Sequence, residues 1–296
     1  IATGNNYSVP DEVLECVAAV LPDDPVAASA CSPAANYFDA IMALDMDTGE
    51  VRWSTRAIPF DAWTVDCIPF FGDGDLCPEP AGPDYDFGQA PALFTVKGGG
   101  KPLELVGAGQ KSGQYWALDP DTGEVAWVTQ AGPGGTAGGL QWGSAVDGTR
   151  VYTANANSGY VPWNLEGGGT TNEGVWSAID ARTTHHAGDA RTGDTLWQHT
   201  PSTPIAPDEP FESLGGSTSG PVTTANGVVY GCSLDPLGHM YALDAATGDE
   251  LWKFASGGSC LSGAAISKGT LFWGSGYSNN FFGTPNNKLY AFGLPG

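Results

Sequence analysis

Four segments of this chain repeat one pattern, and the repeat limits the fold more than any other feature. ALDMDTGEVRW, ALDPDTGEVAW, AGDARTGDTLW and ALDAATGDELW share Ala, Asp, Thr, Gly and Trp at fixed offsets. The copies fall at Ala43, Asp45, Thr48, Gly49 and Trp53, then at Ala117, Asp119, Thr122, Gly123 and Trp127. They continue with Ala187, Asp189, Thr192, Gly193 and Trp197, and with Ala242, Asp244, Thr247, Gly248 and Trp252. A fifth start, KLYAFG, lies around Tyr290 and Phe292. The pattern reads as strand, tight turn, strand. Asp ends the first strand and can accept the turn's backbone N–H groups. Gly supplies the positive φ of the hairpin, and Trp falls on the next strand, where its ring can fill the space between two sheets.

The Trp residues are 74, 70 and 55 positions apart, about one four-stranded sheet plus loops per repeat, as in a propeller blade. With 43 Gly and 22 Pro, and no long capped window of helical periodicity, the chain is expected to be all-β. Residues 1–296 then form one partial β-propeller of about four to five blades, with long insertions at 67–90, 163–188 and 200–218. A ring closes to remove its edges, so further blades are expected upstream or on another chain. The opening IATGNNYSVP reads as a strand end running into a loop, so the natural N-terminus is expected upstream.

A net charge of −22 repels phosphate backbones, which argues against nucleic acid as a partner. No apolar run approaches the roughly 18 residues of a membrane span. Cys16, Cys31, Cys67, Cys77, Cys232 and Cys260 form no CxxC pair and no zinc spacing with His. An even number suits disulfides in an oxidising compartment: Cys67 with Cys77 and Cys16 with Cys31 closing short loops, Cys232 with Cys260 tying neighbouring strands. Spacing alone does not exclude buried free thiols. His185, His186, His199 and His239 read as structural or surface residues.

The Ala-Asp-Thr-Gly-Trp pattern resembles the tryptophan-docking repeat of eight-bladed quinoprotein alcohol dehydrogenases, polyvinyl-alcohol-dehydrogenase type, and the likeness covers the C-terminal half of such a ring. It implies pyrroloquinoline quinone (PQQ) and calcium as cofactors, a secondary or polymeric alcohol as substrate, a cytochrome as electron acceptor, and a periplasmic or secreted location. The same repeat occurs in a cofactor-free outer-membrane assembly lipoprotein, so it speaks for fold and not for chemistry. The alternative is accordingly a non-catalytic scaffold that binds protein or polysaccharide.

Three places are similar to the family's site. In IATGNNYSVP the resemblance makes Asn5 a calcium ligand, and its amide oxygen suits that ion. In QKSGQYWALD it makes Lys111 the cation on the quinone oxygens. The third is the catalytic base and calcium ligand, an Asp that follows Trp in the family. Here Thr64 follows Trp63, a departure from the pattern. Asp86, 25 residues before Lys111, takes that role instead, with Asp84 next and Asp61 or Asp66 behind them. WGSAVDGTRVYTANANSG resembles a strand pair bearing a cofactor Asn, either Asn155 or Asn157. Trp142 could line the same pocket, although a core position is the plainer reading of a Trp. The expectation is that Asn5, Lys111 and one acid of the 84–86 pair converge at one end of the ring.

Overall fold

The computed structural model describes residues 1–69, 71–97, 101–182, 193–202, 216–279 and 283–293. Among the described residues the strands make five successive antiparallel sheets and one separate two-stranded hairpin. Sheet I is β1 (Ala40–Leu44) and β2 (Val51–Arg56), with Ala2 bridging Ile41. Sheet II is β3 (Ala92–Val96), β4 (Leu103–Gly109), β5 (Gln114–Leu118) and β6 (Val125–Gln130). Sheet III is β7 (Ala145–Val146), β8 (Arg150–Asn155), β11 (Val175–Asp180) and β12 (Thr195–His199), with the hairpin β9 (Trp163–Asn164) and β10 (Thr170–Thr171) inserted between β8 and β11. Sheet IV is β13 (Thr223–Ala225), β14 (Val228–Cys232), β15 (His239–Asp244) and β16 (Glu250–Ala255). Sheet V is β17 (Ala265–Ser267), β18 (Thr270–Gly274) and β19 (Leu289–Gly293). The architecture is the β-propeller expected from the repeat.

The repeat works as a docking device. Asp45 accepts the backbone N–H of Asp47 and Thr48, and Asp119 and Asp244 do the same in their own turns. The Trp of one sheet then lies on the turn glycine of the next. A methyl group placed on Gly123 would stand 2.5 Å from the Trp53 ring, and one on Gly248 would stand 2.7 Å from Trp197. Trp53 Nε1 donates to the Pro120 carbonyl and Thr55 Oγ1 to that of Gly123. Glycine is thus required twice here, for its positive φ and for the ring pressed against it. Trp127 and Trp197 are buried as expected, while Trp53 and Trp252 are half-buried. Trp252 packs instead on Phe254 and Phe292.

The third copy of the repeat needs a correction. The cross-strand partner of Trp197 is Ala178, as Ala43, Ala117 and Ala242 are of Trp53, Trp127 and Trp252. A bulge follows that Ala in all four sheets. Asp180, not Asp189, therefore holds the turn position, because the hairpin carries an insertion that duplicates the motif letters. Ala187, Asp189, Thr192, His185 and His186 lie outside the described residues.

Among the described residues the mostly β chain carries two short α-helices that the sequence did not announce: α1 (Asp11–Val20) and α2 (Pro25–Cys31). Both are too short to be stable alone. Tertiary packing holds them, with Val13, Val17 and Ala28 buried against Phe60 and Ala62 and the Cys16–Cys31 disulfide joining the pair. Cys67–Cys77 closes its loop. Cys232–Cys260 joins the end of β14 to the approach to β17, so it ties two sheets and not two strands of one sheet.

Candidate active site

Up-and-down strand order fixes where chemistry can sit. In a four-stranded sheet the turn between the third and fourth strands lies at one end. The turn between the second and third strands, and the connection to the next sheet, lie at the other. The docking turns occupy the first end. Asn5, Asp39, Asp61, Asp84, Asp86 and Lys111 all fall in segments of the second, so residues far apart in sequence converge there.

Lys111 stands in the tight turn between β4 and β5. Gly113 closes that turn at φ +82°, where any Cβ would meet the Gly132 carbonyl at 2.1 Å. The Lys111 amide donates to the Asp86 carbonyl at 2.9 Å. Its ammonium reaches Asp86 Oδ2 at 2.6 Å and Asp84 Oδ2 at 3.1 Å. Asp84 adopts a left-handed φ of +61°, a strained conformation for a non-glycine residue. Asn5 joins from the first sheet: its backbone N–H donates to Asp86 Oδ1 at 2.7 Å and its side-chain amide to the Trp63 carbonyl at 2.6 Å. That leaves Asn5 Oδ1 buried without a hydrogen-bond partner. Gly4 permits the approach, since a Cβ there would meet Asp86 Oδ1 at 2.3 Å.

Two further carboxyls back this group. Asp61 is fully buried and accepts the N–H of Tyr85 and Trp63. Asp39, just before β1, is also fully buried, and neither of its oxygens accepts a hydrogen bond. Burial, then the neighbouring Asp61, Asp86 and Asp84 carboxylates, push Asp39 up to about 9, so at neutral pH it is a neutral acid able to donate to Asp61. Burial likewise raises Asp61 against the pull of its backbone donors. Burial raises Asp84 to about 7, opposed by Lys111 and reinforced by Asp86 and Asp61. Burial pulls Lys111 down, but its Asp86 and Asp84 partners more than offset this and its ammonium is held above the usual lysine value.

The group therefore sets four carboxyls against one ammonium, with an unpartnered amide oxygen beside them. That oxygen and Asp86 are a hard donor set of the kind calcium takes. They are only part of a shell: among the described residues, no group of three or more His, Cys, Asp or Glu is disposed to hold a metal ion. The ammonium has three donors, two of them committed to Asp84 and Asp86, which leaves one for a ligand.

The remaining sequence candidates lie apart from this group. Asn155 and Asn157 are on the same end, one strap away: Gly135 N–H donates to the Lys111 carbonyl, and Ala156 N–H to that of Gly139. Their side chains bind main chain, Asn155 the Pro133 carbonyl and the Asn157 N–H, Asn157 the Val161 and Glu173 carbonyls. Trp142 is 50% exposed and lines a groove, contrary to a core position. Asp66 accepts from Leu76 and supports the Cys67–Cys77 loop. His199 is stacked on Trp176, and His239 is bonded to Asp235. Asp39 is the residue that sequence reasoning missed, and nothing in its neighbourhood marks it: a lone Asp before a strand looks like any turn acid.

The model of the PQQ_2 repeat family, described as outer membrane protein assembly factor BamB, matches residues 19–184 and 181–291. The chain belongs to this family. Among curated relatives, the polyvinylalcohol dehydrogenase of Sphingopyxis sp. (strain 113P3) is 30% identical over 286 residues, covering 87% of this chain and 40% of that protein. A polyvinylalcohol dehydrogenase of Pseudomonas sp. is 29% identical over 282 residues, with the same coverage of 87% and 40%. The chain thus spans 40% of the length of these relatives. Among solved structures, the quinohemoprotein alcohol dehydrogenase of Comamonas testosteroni superposes with a TM-score of 0.50 at 19% identity, over 80% of this chain and 38% of that one. That likeness speaks for the fold alone.

Proposed function

We propose that this chain supplies one side of a PQQ- and calcium-dependent site that oxidises a secondary or polymeric alcohol to a carbonyl. The observation that carries the reading is the convergence of Asn5, Asp84, Asp86 and Lys111 from two different sheets. A scaffold has no physical reason to set Asp84 and Asp86 on one lysine with Asp39 and Asp61 buried behind them. The names of the curated relatives support the same substrate class.

When bound, the quinone supplies the hydride acceptor and calcium the Lewis acidity toward its oxygen. Asn5 Oδ1 and Asp86 would hold the ion, and the remaining Lys111 N–H would bind the quinone oxygen. Asn155, Asn157 and Trp142 remain candidates for the outer walls of the cofactor site. Asp86 is the base that accepts the alcohol's hydroxyl proton, and Lys111 and the Asn5 N–H fix its two oxygens. Asp84 shares the same ammonium and, at about 7, changes protonation where a general acid–base group works best. The missing calcium ligands and the remaining blades come from segments outside this sequence, on the same or another chain. A cytochrome takes the electrons. The three disulfides favour a periplasmic or secreted location.

The test is an absorption titration of the native protein with PQQ and calcium. Saturable binding that Lys111→Ala weakens, with turnover abolished in Asp86→Asn while PQQ still binds, is the expected result. No PQQ binding at all returns the chain to the scaffold reading. Activity lost in Asp84→Asn but kept in Asp86→Asn would move the base to Asp84.

A further inference from the structure

Three stretches of chain carry Asn5, Trp63 and the Asp84–Asp86 pair to one place, and Asp61 is bonded to all three. Its main-chain carbonyl accepts the backbone N–H of Asn6 at 3.1 Å and the Asn6 side-chain amide at 3.0 Å. Its carboxylate accepts the Tyr85 N–H at 2.8 Å through Oδ2 and the Trp63 N–H at 3.2 Å through Oδ1. Gly82 makes room for that carboxylate: it has a φ of +93°, and a Cβ there would stand 2.6 Å from Asp61 Oδ1. The next residue, Ala62, ties the same two stretches again by its N–H to the Ala81 carbonyl at 2.7 Å.

Each of these bonds lies next to a group of the candidate site. Asn6 follows Asn5, and Tyr85 stands between Asp84 and Asp86. Trp63 lends its own carbonyl to the Asn5 side-chain N–H at 2.6 Å. An amide side chain can present either its oxygen or its nitrogen. A carbonyl accepts only from the nitrogen, so the Trp63 bond leaves Asn5 Oδ1 as the free atom, buried and without a partner. Asp61 thus fixes Asn5 from two sides and the Asp84–Asp86 segment from a third. It is no candidate for the base: it is fully buried, and each of its carboxylate oxygens already accepts a main-chain N–H.

We propose that Asp61 is the positioning residue of this site: it holds Trp63 and Asn6 so that Asn5 presents oxygen and not nitrogen to a cation, and it holds Asp84 and Asp86 in register beside that oxygen. Its effect runs through other residues, and it touches neither cation nor substrate. The link to a cation rests on the alcohol-oxidising reading; the positioning does not.

Amide hydrogen exchange and calorimetry with calcium alone, both on the full native protein, test it. Asp61→Asn keeps one acceptor and puts an NH2 group where the other stood. Exchange at Asn5, Trp63 and Tyr85 should quicken at least ten-fold, while the buried Tyr115 and Trp127 of sheet II exchange as in the wild type. Calcium should bind at least ten-fold more weakly to Asp61→Asn, as it should to Asn5→Ala. The double variant should lose less than two-fold more than either, because both changes remove the same oxygen. Losses that multiply show that Asp61 does not act through Asn5 and overturn the proposal, as does wild-type exchange at Asn5 and Tyr85. If Asp61→Asn does not fold, Asn6→Ala, which removes one donor to the Asp61 carbonyl, should still quicken exchange at Asn5 two-fold or more; no change there overturns the proposal. If the wild type binds neither calcium nor PQQ, yet Asp61→Asn quickens exchange at Asn5 and Tyr85, the alcohol-oxidising reading fails and the positioning role stands.

Discussion

Lys111 holds Asp86 twice, by its amide to the Asp86 carbonyl at 2.9 Å and by its ammonium to Oδ2 at 2.6 Å. The same ammonium binds Asp84, so one side chain fixes both acids of the candidate site. Removing one partner of a buried ion pair typically costs about 3 to 5 kcal/mol. Lys111→Ala should approach that loss in urea melts above pH 7, where Asp84 is ionised. The loss should shrink as pH falls through about 7 and Asp84 takes up its proton.

Asp39 makes a prediction of the opposite sign. Its pKa is about 9 in the fold against an ordinary 3.8, so the folded state binds the extra proton between those values. Its contribution to stability is complete at low pH and is lost as pH rises toward 9. Asp39→Asn, which mimics the neutral acid, should raise the melting temperature of metal-free protein at pH 8 to 9 and leave it nearly unchanged at pH 4. An equal shift at both pH values would show that Asp39 is not protonated in the fold.

Two glycines of the same motif separate backbone strain from docking. Gly49 and Gly123 have φ of +75° and +73°, yet a Cβ on Gly49 meets nothing within 4 Å while one on Gly123 meets Trp53 at 2.5 Å. Gly49→Ala should cost about 1 to 2 kcal/mol, the left-handed penalty alone. Gly123→Ala should cost clearly more, because the Trp53 ring must also move. Equal losses in chemical denaturation would remove the docking account.

The Cys232–Cys260 bridge is fully buried between sheets IV and V. Replacing both residues by Ala should cost about 2 to 4 kcal/mol. Peptide mapping without reduction should recover the three pairs Cys16–Cys31, Cys67–Cys77 and Cys232–Cys260 intact.

The repeat was legible because its chemistry is local. An Asp that caps a turn, a Gly at positive φ and a Trp at a fixed offset act within a few residues of one another, so four copies by themselves determine a strand–turn–strand unit and its stacking into a propeller. The resemblance of the ATGN and QKSG segments also named Asn5 and Lys111, and the structure brings them onto Asp86 together. The third copy shows the limit of such reading: letters repeat at Ala187 and Asp189, but strand pairing selects Ala178 and Asp180, and pairing depends on the neighbouring strand. The helices α1 and α2 escaped because packing and a disulfide hold them, not their own periodicity. Tertiary structure alone decided that Asp39 is a buried neutral acid. Its pKa is set by desolvation and by Asp61, Asp84 and Asp86, all of them distant in sequence, and burial and electric field are sums over groups in space that no local pattern contains.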